Sequence, residues 1–259
     1  MNQVTNIRRK LGWLTHCYKA VFRSYHHQLW PLFDIILKAD DFVIDVGAHA
    51  GQFSKLFSAR APLGLVLAIE PASYALSILR IVKILHRLHP LKIINMGIGV
   101  QQGKAILQTP IKNNGVLRFG LSQVANDDED NIDESVLSET ISLTTIDILT
   151  NQFGRDRRFA LLKADIEGYE YEMLCGGAEA IETNKPCLLM EISINKEEIM
   201  DFLWQRDYVV FALSNYSGKN KEPLRLVQIR EHKENRTRNI LAVHSSNTEI
   251  LKKLEVGFC

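Results

Sequence analysis

Short apolar runs alternate with stretches of helical length between Phe42 and His244. The runs are FVIDVG, GLVLAIEP, LKIINMG, FALLKADIEG and CLLMEIS, with two more near 208–213 and at 239–244. Runs that are apolar at consecutive positions are typical of strands buried on both faces of a parallel sheet. The segments 51–60, 72–89, 168–184 and 195–206 have helical length. The pattern predicts a doubly wound α/β domain with a mostly parallel, Rossmann-like sheet of seven strands.

The N-terminal residues follow a helical spacing instead. Apolar side chains recur in steps of three and four at Leu11, Leu14, Tyr18, Val21, Phe22, Tyr25, Leu29, Leu32, Phe33 and Ile36. This stripe predicts two helices, broken at Pro31, that pack against the domain. The other face carries Lys19, Arg23, His26 and His27, so peripheral contact with a membrane surface or a partner is the alternative. The chain therefore divides into an N-terminal helical segment, 1–38, and a larger domain, 39–259.

Two regions interrupt the alternation of strands and helices. Residues 103–146 show no long helical pattern and predict a β-rich insertion, in which NDDEDNIDES predicts a solvated acidic loop. Residues 214–238 include a basic, polar stretch that predicts a loop. Together with the N-terminal helices, these regions are expected to form the substrate pocket, but they carry no motif that identifies the substrate.

Composition narrows the classes of function. The formal net charge is +1 and no basic track with aromatic residues is visible, which argues against nucleic acid as a partner. The longest apolar run, Leu65 to Ile69, is far shorter than the roughly 20 residues of a membrane-spanning helix. Four scattered cysteines favour reduced thiols and a cytoplasmic location. Structural or surface roles are assigned to the histidines that lack a metal-like grouping: His16, His26, His27, His86, His89, His232 and His244. The oligomeric state is left open.

The strongest motif, VIDVGAHAGQF over 43–53, joins the end of a strand to the start of a helix. Gly47 allows a sharp turn, and Gly51 allows a cofactor to lie close against the backbone. The spacing Asp-x-Gly-x-x-x-Gly differs from the dinucleotide fingerprint, which needs a third glycine to place a pyrophosphate at the helix start. The carboxylate of Asp45 inside the motif suits a cationic, amino-acid-bearing cofactor and argues against NAD.

An acidic residue ends the next predicted strand. Glu70 closes the run LVLAIE, and a carboxylate at the end of the second strand can accept hydrogen bonds from both hydroxyls of a ribose. The glycine motif and Glu70 together therefore predict a nucleoside-bearing cofactor.

Charged residues also end FALLKADIEG and CLLMEIS. Period-2 alternation places Lys163, Asp165 and Glu167 on one side of the strand end, at the edge where open α/β sheets bind ligands. Asp165 is the first candidate for a general base, while Lys163 orients the acceptor or is itself the base. Glu191 is predicted at the same edge. The alternatives are salt bridges that fix the turn, and a Mg²⁺ ion held by Asp165, Glu167 and Glu191.

In their order and spacing, these motifs resemble the FkbM-type methyltransferase family over roughly Phe42 to His244. The resemblance rests on VIDVGAHAGQF, AIEP, IINMGIG with the later QQGKA, SLTTID, LLKADIEGYEYEMLCGGA, CLLMEIS and NILAVH. It implies a class I methyltransferase fold, S-adenosylmethionine as methyl donor, and methylation of a hydroxyl on a sugar, a glycan precursor or a natural product. His49 stands where the family usually has asparagine, and Ala164 lies within LKADIEG.

The predicted site combines the motifs with the resemblance. Cofactor binding is assigned to Asp45, Gly47, Ala48, His49, Gly51, Glu70 and Asn95, and catalysis to Asp165, Lys163 and Glu167, with no resident metal. The expected partner is a small-molecule or glycan acceptor. The alternatives are a non-catalytic Rossmann-like binding protein and an NAD-dependent oxidoreductase. The near-zero net charge disfavours a nucleic-acid methyltransferase.

Overall fold

The structure is a computed structural model that describes residues 3–110, 123–124, 136–217, 222–235 and 237–258. Its helices are α1 (Gln3–Phe22), α2 (Trp30–Ile36), α3 (Gln52–Arg60), α4 (Ser73–Leu85), α5 (Ile146–Phe153), α6 (Glu170–Cys175), α7 (Ala178–Asn184), α8 (Lys196–Trp204) and α9 (Thr248–Phe258). Its strands are β1 (Phe42–Val46), β2 (Leu65–Ile69), β3 (Leu91–Ile94), β4 (Gly97–Ile98), β5 (Gly103–Pro110), β6 (Gln123–Val124), β7 (Val136–Thr144), β8 (Phe159–Ala164), β9 (Cys187–Glu191), β10 (Tyr208–Ser214), β11 (Arg225–Ile229) and β12 (Asn239–His244).

The main sheet has eight strands in the order β11-β10-β12-β9-β8-β1-β2-β3. The five strands from β9 to β3 run parallel, and β12, β10 and β11 are added antiparallel. The predicted α/β class is confirmed, but the predicted count of seven strands is wrong. The additional strand, β11, lies within the stretch predicted as a loop. It is short, and its sequence signal is weak because only Leu226 and Ile229 are buried.

The register of the parallel strands brings predicted site residues to one edge of the sheet. Asp45 of β1 lies opposite Lys163 of β8 on one side and Ala68 of β2 on the other. Glu70 directly follows β2, and Glu191 ends β9. The carboxyl ends of these strands therefore meet, as expected of a ligand-binding edge in an open α/β sheet.

A second sheet, with strand order β4-β7-β5-β6, lies beside this edge. Leu107 of β5 and Ile141 of β7 pack against Ala72 and Ala75 at the start of α4. The described part of 103–146 is therefore rich in β-structure, as predicted, apart from α5 at its end. The predicted acidic loop, 126–135, lies outside the described residues.

The break between the N-terminal helices was predicted at Pro31, but the structure places it before that residue. α1 ends at Phe22, and residues 23–26 separate it from a 3₁₀ turn at His27–Leu29. Pro31 lies in the first turn of α2, where a proline has no intrahelical hydrogen bond to lose. The side chains of Phe33 and Ile36 on α2 are buried in the same apolar cluster as Val43 of β1.

α1 packs on α4 through its smaller apolar side chains. Cys17 and Ala20 are buried there, and the indole of Trp13 donates a hydrogen bond to Ser77 Oγ (2.8 Å). The larger residues of the predicted stripe are exposed instead: Leu11, Leu14, Tyr18 and Phe22. None of the helices described above combines the length and apolar content needed to cross a bilayer.

Candidate active site

A cavity of about 320 Å³ opens at the carboxyl edge of the main sheet, a size typical of small-molecule sites. The loops after β1 and β8, the end of β2, residues 96–98 and the second sheet form its walls. Eight predicted site residues line it: Gly47, Ala48, His49, Glu70, Lys163, Asp165, Glu167 and Glu191. Three others, Asp45, Gly51 and Asn95, do not.

Gly47 begins the loop after β1 with a φ of +68°, in the left-handed region. The N–H groups of Gly47 and Ala48 both donate to the carbonyl of Ile69 (3.0 Å each), which ties the loop to the end of β2. A Cβ at Gly47 would lie 2.0 Å from the carbonyl oxygen of Asp165. A glycine at this position therefore lets the loops after β1 and β8 approach each other at the cavity.

Gly51 has a different role from the one predicted. It precedes α3 with a φ of +82°, and its missing Cβ would lie 2.6 Å from Leu79 Cδ1 on α4. The absent side chain therefore makes room for α4 rather than for a cofactor.

The carboxylate of Glu70 is buried at the cavity wall. Its Oε2 accepts a hydrogen bond from the backbone N–H of His49 (2.8 Å), and its Oε1 accepts one from that of Ala72 (2.9 Å). Burial raises the pKa of Glu70 to about 7, although the two N–H groups act in the opposite direction. Each oxygen keeps a lone pair for a further donor.

His49 lies in the same loop with a φ of +52°. Burial, and then the charge of Lys163, lowers the pKa of His49 to about 4. The imidazole is therefore neutral at pH 7, and it adds no positive charge to this wall.

Asp45 lies behind the cavity wall and is fully buried. Its Oδ2 accepts a hydrogen bond from Ser54 Oγ (2.7 Å), and its Oδ1 lies 3.4 Å from the ammonium of Lys163. Burial raises the pKa of Asp45, while Lys163 and Ser54 oppose that shift. Asp45 therefore does not line the cavity, as the predicted contact with a cofactor would require, and it contacts the lining residue Lys163 instead.

Lys163 and Asp165 meet at the cavity. The Lys163 ammonium donates to the carbonyl of Gly47 (3.1 Å) and lies 3.9 Å from Asp165 Oδ2. Only 5% of the Lys163 side chain is exposed, against 41% for Asp165. Asp165 is thus the member of the pair that a ligand can reach from the cavity.

Glu167 and Glu191 share a cation. The guanidinium of Arg238 lies 3.5 Å from Glu167 Oε2 and 3.7 Å from Glu191 Oε1. Partial burial, and then the charge of Asp165, raises the pKa of both glutamates, and Arg238 opposes the shift. Over the ranges that the structure describes, no three His, Cys, Asp or Glu side chains are grouped to hold a metal ion. Arg238 is thus a cation of the chain itself that lies at both glutamates.

The sequence did not reveal an aromatic group on the cavity wall. His26, predicted to be structural or at the surface, lines the cavity and stacks on Phe53 with ring centroids 4.3 Å apart. Its Nδ1 lies 2.5 Å from Tyr216 Oη. Burial, and then Lys163, lowers the pKa of His26 to about 4. His26 has a φ of +62°, a left-handed conformation that non-glycine residues seldom adopt.

The placement of Asn95 does not match the prediction. β3 ends at Ile94, and the exposed Asn95 side chain lies outside the cavity lining. Met96, the next residue, contributes to the wall instead. The two neighbours differ in the direction of their side chains, and a sequence motif does not specify that direction.

The fold is that of class I methyltransferases, in which a glycine loop and an acid after the second strand lie at the carboxyl edge of a doubly wound sheet. A family model described as "Methyltransferase FkbM domain" matches residues 45–210. The chain therefore belongs to the FkbM methyltransferase family, and the resemblance found in its motifs is confirmed. No match was found among curated protein sequences.

Several solved structures are similar in fold. A methyltransferase FkbM from Methylobacillus flagellatus KT aligns with a TM-score of 0.50 and 15% identity, over 92% of this chain and 59% of that one. The chain thus spans 59% of the length of this relative. A precorrin-6y C5,15-methyltransferase from Geobacter metallireducens GS-15 aligns at 0.44 and 14% identity, over 83% and 87%. Fibrillarin from Aeropyrum pernix, with natively bound S-adenosyl-L-methionine, aligns at 0.41 and 9%, over 80% and 67%.

S-adenosylmethionine is the methyl donor of this family, and the cavity suits it. The buried carboxylate of Glu70 retains acceptor capacity for ribose hydroxyls. Ile69, Pro71, Met96 and Ile98 supply apolar surface on the adjoining walls, as a flat heteroaromatic base requires. The carboxylate of Glu70 and the apolar walls therefore fit the ribose and the base of a nucleoside.

Proposed function

We propose that this chain transfers the methyl group of S-adenosylmethionine to a hydroxyl of a small-molecule or glycan acceptor. The observation that carries the proposal is that the same cavity joins Glu70, a carboxylate suited to a ribose, to the pair of Lys163 and Asp165. One wall thus suits a nucleoside, and another holds acid–base groups within the same space. The membership of the chain in a methyltransferase family supports the assignment.

The donor side uses the loop after β1. Glu70 accepts hydrogen bonds from the ribose, and the backbone of residues 47–49 shapes the wall beside it. Asp45 acts as a positioning residue, because its carboxylate holds the ammonium of Lys163. Gly51 acts through the packing of α3 on α4.

The acceptor side uses the loop after β8. The bound donor supplies an electrophilic methyl group, so the residues of the chain have to align the acceptor and remove its proton. Asp165 accepts the hydroxyl proton, since its carboxylate is partly exposed at the cavity. Lys163 keeps Asp165 in place from behind. A positioned base of this kind contributes about 10²–10⁴-fold to the rate.

The remaining polar groups orient the acceptor. Glu167, Glu191 and Arg238 offer charged hydrogen-bond partners next to Asp165, which suits an acceptor with several hydroxyl groups. Phe53 and His26 add an aromatic surface on which a sugar ring can pack. An acceptor rich in hydroxyls, such as a glycan, matches this combination. The cytoplasmic location stays a prediction from the cysteines.

A calorimetric titration of the purified chain with S-adenosylmethionine tests the donor, with NAD as the control ligand. We expect saturable binding of S-adenosylmethionine alone. Binding of NAD alone would support the oxidoreductase alternative. If a folded protein bound neither ligand, the proposal would be wrong.

The catalytic role is tested with Asp165→Asn, and the exposed Asp156→Asn serves as the matched control. Tritiated methyl transfer is measured on hydroxylated glycans and lipids. Asp165→Asn should reduce turnover by about 10²–10⁴-fold while the affinity for S-adenosylmethionine stays within about twofold. A non-catalytic binding protein would instead bind the donor and transfer nothing, with or without the substitution.

A further inference from the structure

The outer face of α1 carries a row of large apolar side chains that no described part of the chain covers. Leu11, Leu14, Tyr18 and Phe22, the outer stripe, are 58%, 56%, 61% and 72% exposed. Their spacing of three and four residues aligns them along about 17 Å of helix. Tyr18 and Phe22 contact each other, with ring centroids 5.1 Å apart. A contiguous apolar row of this kind marks an interaction surface.

Hydrogen bonds on the opposite face of α1 fix the outward direction of the outer stripe. His16 Nδ1 lies 2.9 Å from Tyr74 Oη on α4. The Lys55 ammonium donates to the carbonyls of Ala20 (2.6 Å) and Arg23 (3.1 Å), which satisfies acceptors at the C-terminal end of α1. The helix is therefore attached to the domain, and the outer stripe remains available to a partner.

Basic residues flank the outer stripe and continue onto the neighbouring helix. Lys19 and Arg23 are exposed beside it, and the exposed Arg80 lies on α4, which packs against α1. Neither α1 nor α4 contains an acidic residue, although the whole chain has a net charge of only +1. The positive charge is thus concentrated around the apolar row.

We propose that the outer stripe docks on an anionic lipid surface, with Lys19 and Arg23 facing the lipid phosphates. An apolar helical face with basic flanks matches the interface of such a membrane in both hydrophobicity and charge. A second copy of the chain suits this face poorly, because a two-fold contact would bring the same basic helices together. Only three residues lie between Phe22 and His26, which is on the cavity wall, so docking also brings the cavity close to the membrane.

Vesicle flotation of the full chain tests the proposal. The vesicles contain phosphatidylcholine alone or phosphatidylcholine with phosphatidylglycerol. We expect the chain to float with the anionic vesicles, at low salt more than at high salt. The double variant Tyr18→Ser/Phe22→Ser and the charge variant Lys19→Glu/Arg23→Glu should each bind at least about tenfold more weakly.

Control variants distinguish an effect of the outer stripe from a general effect of lower surface hydrophobicity or net charge. Leu63→Ser/Val256→Ser removes two exposed apolar side chains elsewhere, and Lys104→Glu/Lys252→Glu makes the same change in net charge. Both controls should float like the wild type, and all variants should keep their circular dichroism spectrum. The proposal is overturned if the wild type floats with neither vesicle, if the controls lose binding as the stripe variants do, or if sedimentation shows a dimer that Tyr18→Ser/Phe22→Ser abolishes.

Discussion

The ammonium of Lys163 lies 3.4 Å from Oδ1 of Asp45, in a buried ion pair behind the cavity wall. The two residues are direct neighbours in the register of β8 and β1. The pair links the glycine motif to the loop that carries Asp165. The acid of the Asp-x-Gly motif therefore acts on the site through a lysine.

The substitution Asp45→Asn should destabilise the fold by about 3–5 kcal/mol, because it leaves the charge of Lys163 buried without its main partner. Ser54→Ala, which removes only a hydrogen bond to the same carboxylate, should cost about 1–3 kcal/mol. Urea unfolding followed by circular dichroism measures both. A smaller loss for Asp45→Asn than for Ser54→Ala would contradict the importance of the ion pair.

The two loop glycines should respond differently to alanine. In Gly47→Ala the new Cβ meets a backbone carbonyl at 2.0 Å, so we expect a loss of at least about 3 kcal/mol or failure to fold. In Gly51→Ala the Cβ meets the end of the Leu79 side chain, which can move, and the left-handed φ adds a cost of about 1–2 kcal/mol. Gly103→Ala, with nothing within 4 Å, is the control. Thermal unfolding ranks the three, and equal effects at the two loop positions would contradict the packing difference.

The affinity for S-adenosylmethionine should fall as pH falls through about 7, the raised pKa of Glu70. Below that pH the carboxyl is protonated and loses acceptor capacity towards the ribose. Glu70→Gln imitates the neutral form, so it should bind about tenfold more weakly at high pH and show little pH dependence. Calorimetric titrations of both proteins across this range are the measurement. A parallel pH dependence in the variant would remove Glu70 from the ribose site.

His26 should make the free energy of unfolding depend on pH in the acidic range. Its pKa is lowered from 6.5 to about 4 in the folded protein, so the unfolded chain binds more protons between these values. The contribution of His26 to stability is therefore lost as pH falls from 6.5 towards 4. Asn tolerates the left-handed φ, so His26→Asn should keep the backbone conformation. The free energy of unfolding of this variant should therefore depend less on pH between 6.5 and about 4.

Other groups titrate in the same range, so the difference between wild type and variant is the informative quantity. Glu70, whose pKa is raised, changes stability in the opposite direction, since the folded protein then binds the extra proton. His49→Asn should produce a similar flattening, because burial lowers the pKa of His49 as well. Urea unfolding at several pH values gives the free energy of unfolding as a function of pH. If this free energy depended on pH identically in the wild type and both variants, the prediction would be contradicted.

The sequence alone predicts the positions of those site residues that directly follow a recognisable strand. The turn at Gly47 and the acid at Glu70 each follow a strand whose apolar run is unmistakable, and parallel pairing then places them together. The motifs and the family resemblance also predict that Asp45 and Asn95 contact the cofactor. They do not show that Asp45 is buried behind the wall and that the side chain of Asn95 lies outside the cavity lining.

The aromatic wall could not be predicted for a different reason. His26 and Tyr216 meet only in the tertiary structure, and neither lies in a motif.

The strand β11 was not predicted because only two of its five side chains are buried. Such a short pattern gives too weak a periodicity beside polar neighbours. For α1, the spacing correctly indicated a helix. Which face turns inward depends on contacts such as Trp13 with Ser77, which the spacing does not encode.

The contact between His26 and Tyr216 joins residues 190 positions apart. During synthesis, the glycine loop and Glu70 emerge from the ribosome well before Tyr216, because they precede it in the sequence. Tyr216 follows much later, together with the last strands of the main sheet. The contact that holds the wall residue His26 from behind is thus made late in the order of synthesis. The glycine loop can therefore form early in synthesis, whereas His26 gains its contact with Tyr216 only after more than half of the 259 residues have been added.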